Sequence, residues 1–150
     1  MPCIWGSHNN SQIFLDVMVV AIDFDWQTVT PQSPIPRFKA LLDTGAQKTG
    51  ITSAAAAKMS LSPSGMVRVH GVAGEQKHNE YLFRVGLFLD GAIKVIDDKS
   101  LLSSPLSFLN KDIEGVEFNS SGGFDVLLGM DVISTGSLKV EGNGTFSFSF

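Results

Sequence analysis

The sequence has one cysteine, few charged residues and no long apolar run, and each of these shortages excludes a class of protein. Cys3 is the single cysteine among 150 residues, so an internal disulfide is impossible and a disulfide-stabilised mini-protein is excluded. Eleven basic and fifteen acidic residues leave a net charge of -4, which argues against a nucleic-acid partner. The longest apolar run, residues 17–22, is too short for a membrane-spanning helix, and no signal peptide is recognisable. We therefore expect a soluble, cytoplasmic protein with no membrane partner.

The chain does contain enough apolar sequence for one folded domain over residues 1–150. A hydrophobic content of 43% excludes a disordered chain, and the length suits a single core. β-branched and aromatic residues cluster in short runs between glycines and serines, which is typical of an all-β protein. The predicted strands cover residues 13–24, 38–42, 66–72, 81–89, 124–128, 138–140 and 145–150. Short helices are predicted after the capping hydroxyls of Thr52-Ser53 and from Gly129, whereas the polar residues 97–124 predict a long loop or a short helix.

Two of the predicted hairpins have distinctive turns. The first is long and has a flexible, glycine-containing tip at Gly71-Val72-Ala73-Gly74. The second turns at Asn143-Gly144, a pair that supplies the positive φ angles of tight turns. The phenylalanines of its last strand share one face, which predicts either core or a dimer interface: Phe146, Phe148 and Phe150.

Asp43 is the candidate catalytic residue, because it directly follows a short apolar strand. The sequence there reads Ala-Leu-Leu-Asp-Thr-Gly-Ala over residues 40–46. A carboxylate at the end of a buried strand is stable when it is hydrogen-bonded, shares a proton or takes part in chemistry. Thr44 supplies a short hydroxyl for bonding a neighbouring main chain, and Gly45 lets another backbone approach closely. Taken alone, the motif also fits a strand-end turn in which the carboxylate accepts backbone hydrogen bonds.

Three segments, in the same order along the chain, resemble the retroviral-type aspartic proteases, the retropepsins. Residues 41–46 resemble the active-site loop of that family, and residues 71–74 resemble the tip of the flap hairpin that closes over the substrate. Residues 126–131, Val-Leu-Leu-Gly-Met-Asp, resemble the strand and helix that pack beneath the catalytic loop. The resemblance is nearest to the cellular members of the family, bacterial ones included. It implies a closed, mostly antiparallel β-barrel with a flap hairpin and one or two short helices.

The resemblance further implies an aspartic endopeptidase that acts as a homodimer on polypeptides and needs no cofactor. The sequence has one Asp-Thr-Gly and no second copy, so the second Asp43 has to come from another copy of the chain. The two carboxylates then share one proton and activate water for attack on a peptide bond. By the same resemblance, Thr44 bonds across the two-fold axis and Ala46 lines the floor of the cleft. The expected flap residues are Gly71, Val72, Ala73 and Gly74, and the residues expected to support the site from below are Leu127, Leu128 and Gly129.

Other functions have weaker support in the residues. His70 and His78 flank the predicted flap tip, but no cysteine or carboxylate completes a zinc-binding spacing, so we expect no metal. Neither a Gly-x-Ser-x-Gly elbow nor a Gly-x-x-x-x-Gly-Lys phosphate loop occurs. Two alternatives stay open. One is a non-catalytic dimeric β module that binds extended peptides, and the other is a domain that cuts only its own precursor or one partner.

Overall fold

The computed structural model describes residues 2–25, 36–89, 106–119 and 122–150. Within these ranges the chain forms eleven strands and two short helices, numbered here in chain order. The strands are β1 (Cys3–Ser7), β2 (Ile13–Ala21), β3 (Phe38–Leu42), β4 (Gly50–Thr52), β5 (Pro63–Gly71), β6 (Gly74–Phe88), β7 (Leu106–Phe108), β8 (Ile113–Phe118), β9 (Val126–Leu128), β10 (Ser137–Val140) and β11 (Thr145–Ser149). The helices are α1 (Ser53–Lys58) and α2 (Met130–Ile133). In the described ranges, no helix has the length and apolar character needed to cross a membrane.

Eight strands form one large sheet, and the predicted all-β fold is confirmed. Their order is β2-β3-β9-β4-β8-β6-β5, with β7 added to β6 and a further pairing of β2 with β6. The pairing of β2 with β6 joins the first strand of this order to the sixth. The sheet is mostly antiparallel, as expected, and the pairs β3–β9 and β4–β8 are parallel. Since β9 lies between β3 and β4, which run in opposite directions, it has to be parallel to one of them.

The two ends of the chain form a separate three-stranded sheet in the order β1-β11-β10. Phe146 and Phe148 are buried on its inner face, so the phenylalanine stripe belongs to the core of its own chain. The Asn143-Gly144 turn occurs as predicted, but only Gly144 has a positive φ, at 89°. Asn143 contributes through its side chain instead, because its Oδ1 accepts the backbone N–H of Thr145 at 3.0 Å.

β2 is buried on both of its faces, as its continuous apolar sequence predicts. Val17 and Val19 face the main core, whereas Met18 and Val20 pack with Phe88 in a second, smaller cluster. The strand ends at Ala21 rather than at residue 24, because the chain turns there and the N–H of residue 24 donates to the Ala21 carbonyl at 3.1 Å.

Both predicted helices form, and α1 begins where its capping residue predicts. Thr52 is extended, and its Oγ1 accepts the backbone N–H of Ala55 at 3.2 Å. Ala55 and Ala56 are buried against the sheet, so the alanine run forms a close-packed face as well as a helix.

The expectation of a loop or helix over residues 97–124 is wrong for residues 106–108 and 113–118, which are strands. β7 and β8 form there, and β8 pairs with both β4 and β6. The sequence of β8 lacks the apolar alternation of a half-buried strand, since Glu114 faces solvent and Gly115 has no side chain. Gly115 is required because the ring of Phe83 occupies the space that a side chain would need. Residues 97–105 and 120–121 of the predicted loop lie outside the described residues.

Candidate active site

Asp43 lies at the end of β3, which is held between β2 and β9 in the sheet. Its N–H donates to the carbonyl of Leu128 at 3.0 Å, which continues the parallel ladder by one residue beyond the strand. The side chain is half-buried, and its Oδ1 accepts the N–H of Gly45 at 2.8 Å. The orientation of the carboxylate is therefore set by its own loop, while the neighbouring strands set the position of the residue.

The loop that follows Asp43 is hydrogen-bonded to the segment around α2. The N–H of Ala46 donates to the carbonyl of Asp43 at 3.2 Å, which closes a tight turn containing the exposed Thr44. The carbonyl of Ala46 accepts from the N–H of Met130 at 2.8 Å, and that of Gln47 accepts from the N–H of Asp131 at 3.2 Å. The start of α2 thus fixes the far side of the loop, as β9 fixes its near side.

Leu127, Leu128 and Gly129, the residues expected to support the site, lie next to the loop of Asp43. Leu128 is fully buried in the core, and Leu127 is half-buried beside Leu41, its partner in β3. A Cβ atom on Gly129 would lie 2.7 Å from the carbonyl carbon and oxygen of Lys48 and 3.0 Å from the carbonyl oxygen of Ala46. Only glycine allows the loop of Asp43 and the start of α2 to approach each other this closely.

Thr49 and Asp131 join the loop to α2; the sequence did not point to Thr49, and it pointed to Asp131 only as the last residue of the segment 126–131. Thr49 is fully buried, and its Oγ1 donates to Asp131 Oδ1 at 2.8 Å while accepting the N–H of Gly129 at 3.2 Å. Its own N–H donates to Asp131 Oδ2 at 3.0 Å, and Asp131 Oδ1 also accepts the N–H of Val132 at 3.0 Å. The available signal was an acidic residue in the first turn of a predicted helix, but nothing local points to a partner 82 positions away.

Gly71, Val72, Ala73 and Gly74 form the tip of the β5–β6 hairpin, as predicted. Gly71 and Gly74 face each other as the last pair of the ladder, and Gly74 has a φ of 102° that favours glycine. Val72 is fully exposed at the end of the tip. Among the described residues no hydrogen bond joins this tip to the loop of Asp43, so the structure does not bring these two groups of predicted residues together.

One face of the sheet connects the Asp43 loop with the base of that hairpin. The strand registers place five residues in a row across this face: Leu41, Leu127, Gly50, Val116 and Glu80. The three members of this row with apolar side chains are all half-buried. The row begins two residues before Asp43, so the carboxylate stands at one end of a partly apolar surface.

Charged groups lie at the other end of this surface. Lys48 Nζ is 3.2 Å from Glu80 Oε1 and 3.8 Å from Glu114 Oε2. On the opposite face of β6, Tyr81 donates its hydroxyl proton to Glu117 Oε2 at 2.7 Å. Burial of the ring raises the pKa of Tyr81, and the hydrogen bond and negative charge of Glu117 raise it further.

The two histidines of the hairpin do not face each other. His70 is opposite Glu75 and His78 is opposite Val67, which leaves the two imidazoles at different levels of the ladder. In the parts of the chain that the structure describes, no three potential ligands among histidines, cysteines and carboxylates lie together as a metal site.

Comparison with known proteins supports the fold. No protein-family model matches the sequence, and no curated protein matches it either. Among solved structures, a match is found to a retropepsin-like aspartic protease from Rickettsia conorii, with a TM-score of 0.56 and 15% identity. The match covers 98% of this chain and 90% of the Rickettsia protein. The chain therefore has a retropepsin-like fold, and at this identity the likeness extends to the fold alone.

Proposed function

We propose that the protein is an aspartic endopeptidase in which Asp43 is the catalytic residue. The observation that supports this most strongly is the position of Asp43 within a retropepsin-like fold. Its carboxylate follows the central strand β3, is oriented by the N–H of Gly45, and stands beside a half-buried apolar surface. A strand-end turn explains the hydrogen bond to Gly45, but it does not explain why the surrounding loop is fixed so firmly to β9 and α2.

The active form is a homodimer, because the chemistry needs two carboxylates and each chain supplies one Asp-Thr-Gly sequence. A two-fold axis beside Asp43 brings the two carboxylates together, and they share one proton because two adjacent negative charges repel strongly. The pKa values of such a dyad belong to the pair rather than to either copy. Thr44, which is exposed in the single chain, lies next to this axis and bonds to the partner.

In the reaction, the ionised carboxylate removes a proton from a water molecule as the water oxygen attacks the carbonyl carbon of the peptide bond. The protonated carboxyl group donates to the carbonyl oxygen, which forms a tetrahedral gem-diol. A carboxyl group of the dyad then passes a proton to the amide nitrogen, and the carbon–nitrogen bond breaks to release an amine and a carboxylic acid. No metal or organic cofactor takes part.

The substrate binds as an extended strand between the dyad and the β5–β6 hairpin, which acts as the flap. Ala46 lies beneath the substrate, and the surface beginning at Leu41 and Leu127 receives apolar side chains on one side of the cleaved bond. The glycines at 71 and 74 let the flap tip open and close. The cytoplasmic location stays a prediction.

Cleavage of a diverse peptide library tests this proposal. Concentrated protein is incubated from about pH 4 to about pH 7, because one member of the dyad must stay protonated. Asp43→Asn is expected to abolish all cleavage. Asp23→Asn, the same change at an exposed aspartate after β2, is expected to leave the cleavage pattern unchanged.

Each other result has a defined meaning. Cleavage that persists in Asp43→Asn would contradict the assignment of the catalytic residue. Peptide binding without cleavage, unchanged by Asp43→Asn, would replace the enzyme with a non-catalytic dimeric β module. Cleavage of one native protein but of no library peptide would restrict the activity to a dedicated substrate.

A further inference from the structure

Lys48 lies in the most firmly held part of the active-site loop. The residue before it accepts a hydrogen bond from the N–H of Asp131 at 3.2 Å, and the residue after it is the buried Thr49. The carbonyl group of Lys48 packs directly against Gly129, where no side chain intervenes. The main chain of Lys48 is therefore fixed relative to Asp43, and only its side chain is free to reach outward.

Glu80 lies where the β5–β6 hairpin leaves the sheet. It is opposite Gly65 in β5 and opposite Val116 in β8, so it is shared by the hairpin and the body of the domain. From residue 79 to the tip, β6 pairs with β5 alone among the described strands, and most side chains there are exposed. The ladder shifts register between Pro63 and Gly65, and Ser64 Oγ donates to the carbonyl of Glu80 at 3.0 Å. Glu80 therefore lies at the root of the hairpin, where it leaves the sheet.

The ammonium group of Lys48 connects these two parts. It lies 3.2 Å from Glu80 Oε1, and 21% of the Glu80 side chain is exposed, so this carboxylate is the sheltered partner. Glu114 Oε2 is 3.8 Å away on a side chain that is 65% exposed, which makes it a weaker second acceptor. The Lys48 ammonium group thus has two acceptors, one at the root of the hairpin and one on β8 in the body of the sheet.

We propose that Lys48 is a positioning residue that couples the loop of Asp43 to the root of the flap hairpin. When the hairpin is closed, Lys48 pairs with Glu80 and holds the root towards the active-site loop. When it opens, Lys48 transfers to Glu114 and its charge stays paired. The catalytic consequence rests on the proposed function, whereas the coupling itself is a property of the fold.

The size of the effect follows from the exposure of the pair. More than half of the Lys48 side chain is exposed, so water and salt weaken the attraction. Loss of the pair is expected to change the opening equilibrium of the hairpin by about two- to fivefold. A peptidase affected in this way shows a higher KM with little change in kcat, since the chemistry at Asp43 is untouched.

Amide hydrogen exchange over residues 66–79 measures this coupling without any need for peptidase activity. Lys48→Gln and Glu80→Gln are each expected to speed exchange there by about two- to fivefold, and the double variant by no more than either single one. Lys139→Gln, which removes an exposed ion pair with Glu141 in the terminal hairpin, is the matched control and should leave this exchange unchanged. High salt should reproduce the effect in the unmodified protein and add little in Lys48→Gln.

Unchanged exchange in Lys48→Gln, or additive effects in the double variant, would overturn the proposal. The exchange experiment is run in parallel in the Asp43→Asn background, so that its outcome does not depend on cleavage. A protein with coupled exchange but no cleavage would retain the coupling and lose the proposed function. Cleavage of peptides without coupled exchange would support the proposed function and contradict the coupling.

Discussion

The hydroxyl of Thr49 donates a hydrogen bond of 2.8 Å to the carboxylate of Asp131, joining the loop of Asp43 to α2. The same hydroxyl accepts the N–H of Gly129, and the same carboxylate accepts the N–H of Thr49. Four polar groups are thereby satisfied in a place where water has little access. This small network holds the loop of Asp43 against α2, and it gives the first of our predictions.

Thr49→Val should destabilise the protein by about 1–3 kcal/mol, because the N–H of Gly129 loses its acceptor and Asp131 loses a donor in a buried position. Thr49→Ser keeps the hydroxyl and should cost about 1 kcal/mol or less, from the lost methyl group. Chemical denaturation of the two variants gives both free energies of unfolding. A loss in Thr49→Val that is no larger than the loss in Thr49→Ser would mean that the hydroxyl network contributes no more than a methyl group, which would contradict this prediction.

Gly129→Ala should destabilise the protein by about 1–3 kcal/mol, because the added methyl group meets the main chain of Lys48 rather than a movable side chain. The same change at Gly142, where nothing lies within 4 Å of the added atom, is the control and should be nearly neutral. Thermal unfolding of both variants checks the difference. The proposed function adds that Gly129→Ala lowers kcat as well, since the loop of Asp43 must move to make room.

From the environment of Tyr81 we predict that the protein loses stability at high pH. Its pKa is raised in the folded protein by burial and by Glu117, so the folded state holds its proton more tightly than the unfolded state does. Stability from this effect is complete below the ordinary tyrosine pKa of 10.0 and falls as the pH rises above it. Because Tyr81 is the sole tyrosine of the chain, its ultraviolet absorbance follows the titration directly.

Tyr81→Phe provides the corresponding variant test. This variant should lack the part of the stability loss at high pH that comes from ionisation of Tyr81. Near neutral pH it should be less stable than the unmodified protein by about 1–2 kcal/mol, since Glu117 loses a hydroxyl donor. Denaturation curves for both proteins at several alkaline pH values separate the two effects. The same alkaline slope in Tyr81→Phe and in the unmodified protein would show that Tyr81 is not the responsible group.

Thr44 tests the proposed dimer separately from the fold. The residue is exposed in the single chain, so Thr44→Val should change the free energy of unfolding of the monomer by no more than about 0.5 kcal/mol. If both copies bond across the axis, the same change should weaken dimerisation by about tenfold, whereas Thr44→Ser should preserve it. Sedimentation velocity over a range of concentrations measures the dissociation constant. Equal dimerisation of all three proteins would remove Thr44 from the interface.

Much of the fold could be predicted from short-range sequence patterns. β3 begins and ends where its apolar run does, α1 begins at its capping Thr52, and both glycine-containing turns occur. Each of these features depends on residues that are close together in the sequence, so it can be predicted from one short segment. The apolar alternation of β6 likewise predicts its buried face, because strand side chains alternate between two sides.

Features that depend on distant partners could not be predicted in this way. β8 contains Glu114, Gly115 and Glu117, and it is a strand because β4 and β6 lie on either side of it. The pairing of Thr49 with Asp131 and the contact of Lys48 with Glu80 likewise join separate segments. The resemblance to retropepsins drew attention to Asp43 and Gly129, but it did not point to these side-chain partners.

The most direct test of the central claim is to mix the unmodified protein with inactive Asp43→Asn protein. The mixing is done at a fixed total concentration, high enough that dimers form and exchange subunits. If each active site needs an ionised and a protonated carboxyl group from two copies of Asp43, mixed dimers are inactive. Peptidase activity should then fall with the square of the unmodified fraction. Activity that falls only in proportion to that fraction would mean that each chain works with its own Asp43 alone, which contradicts the shared dyad.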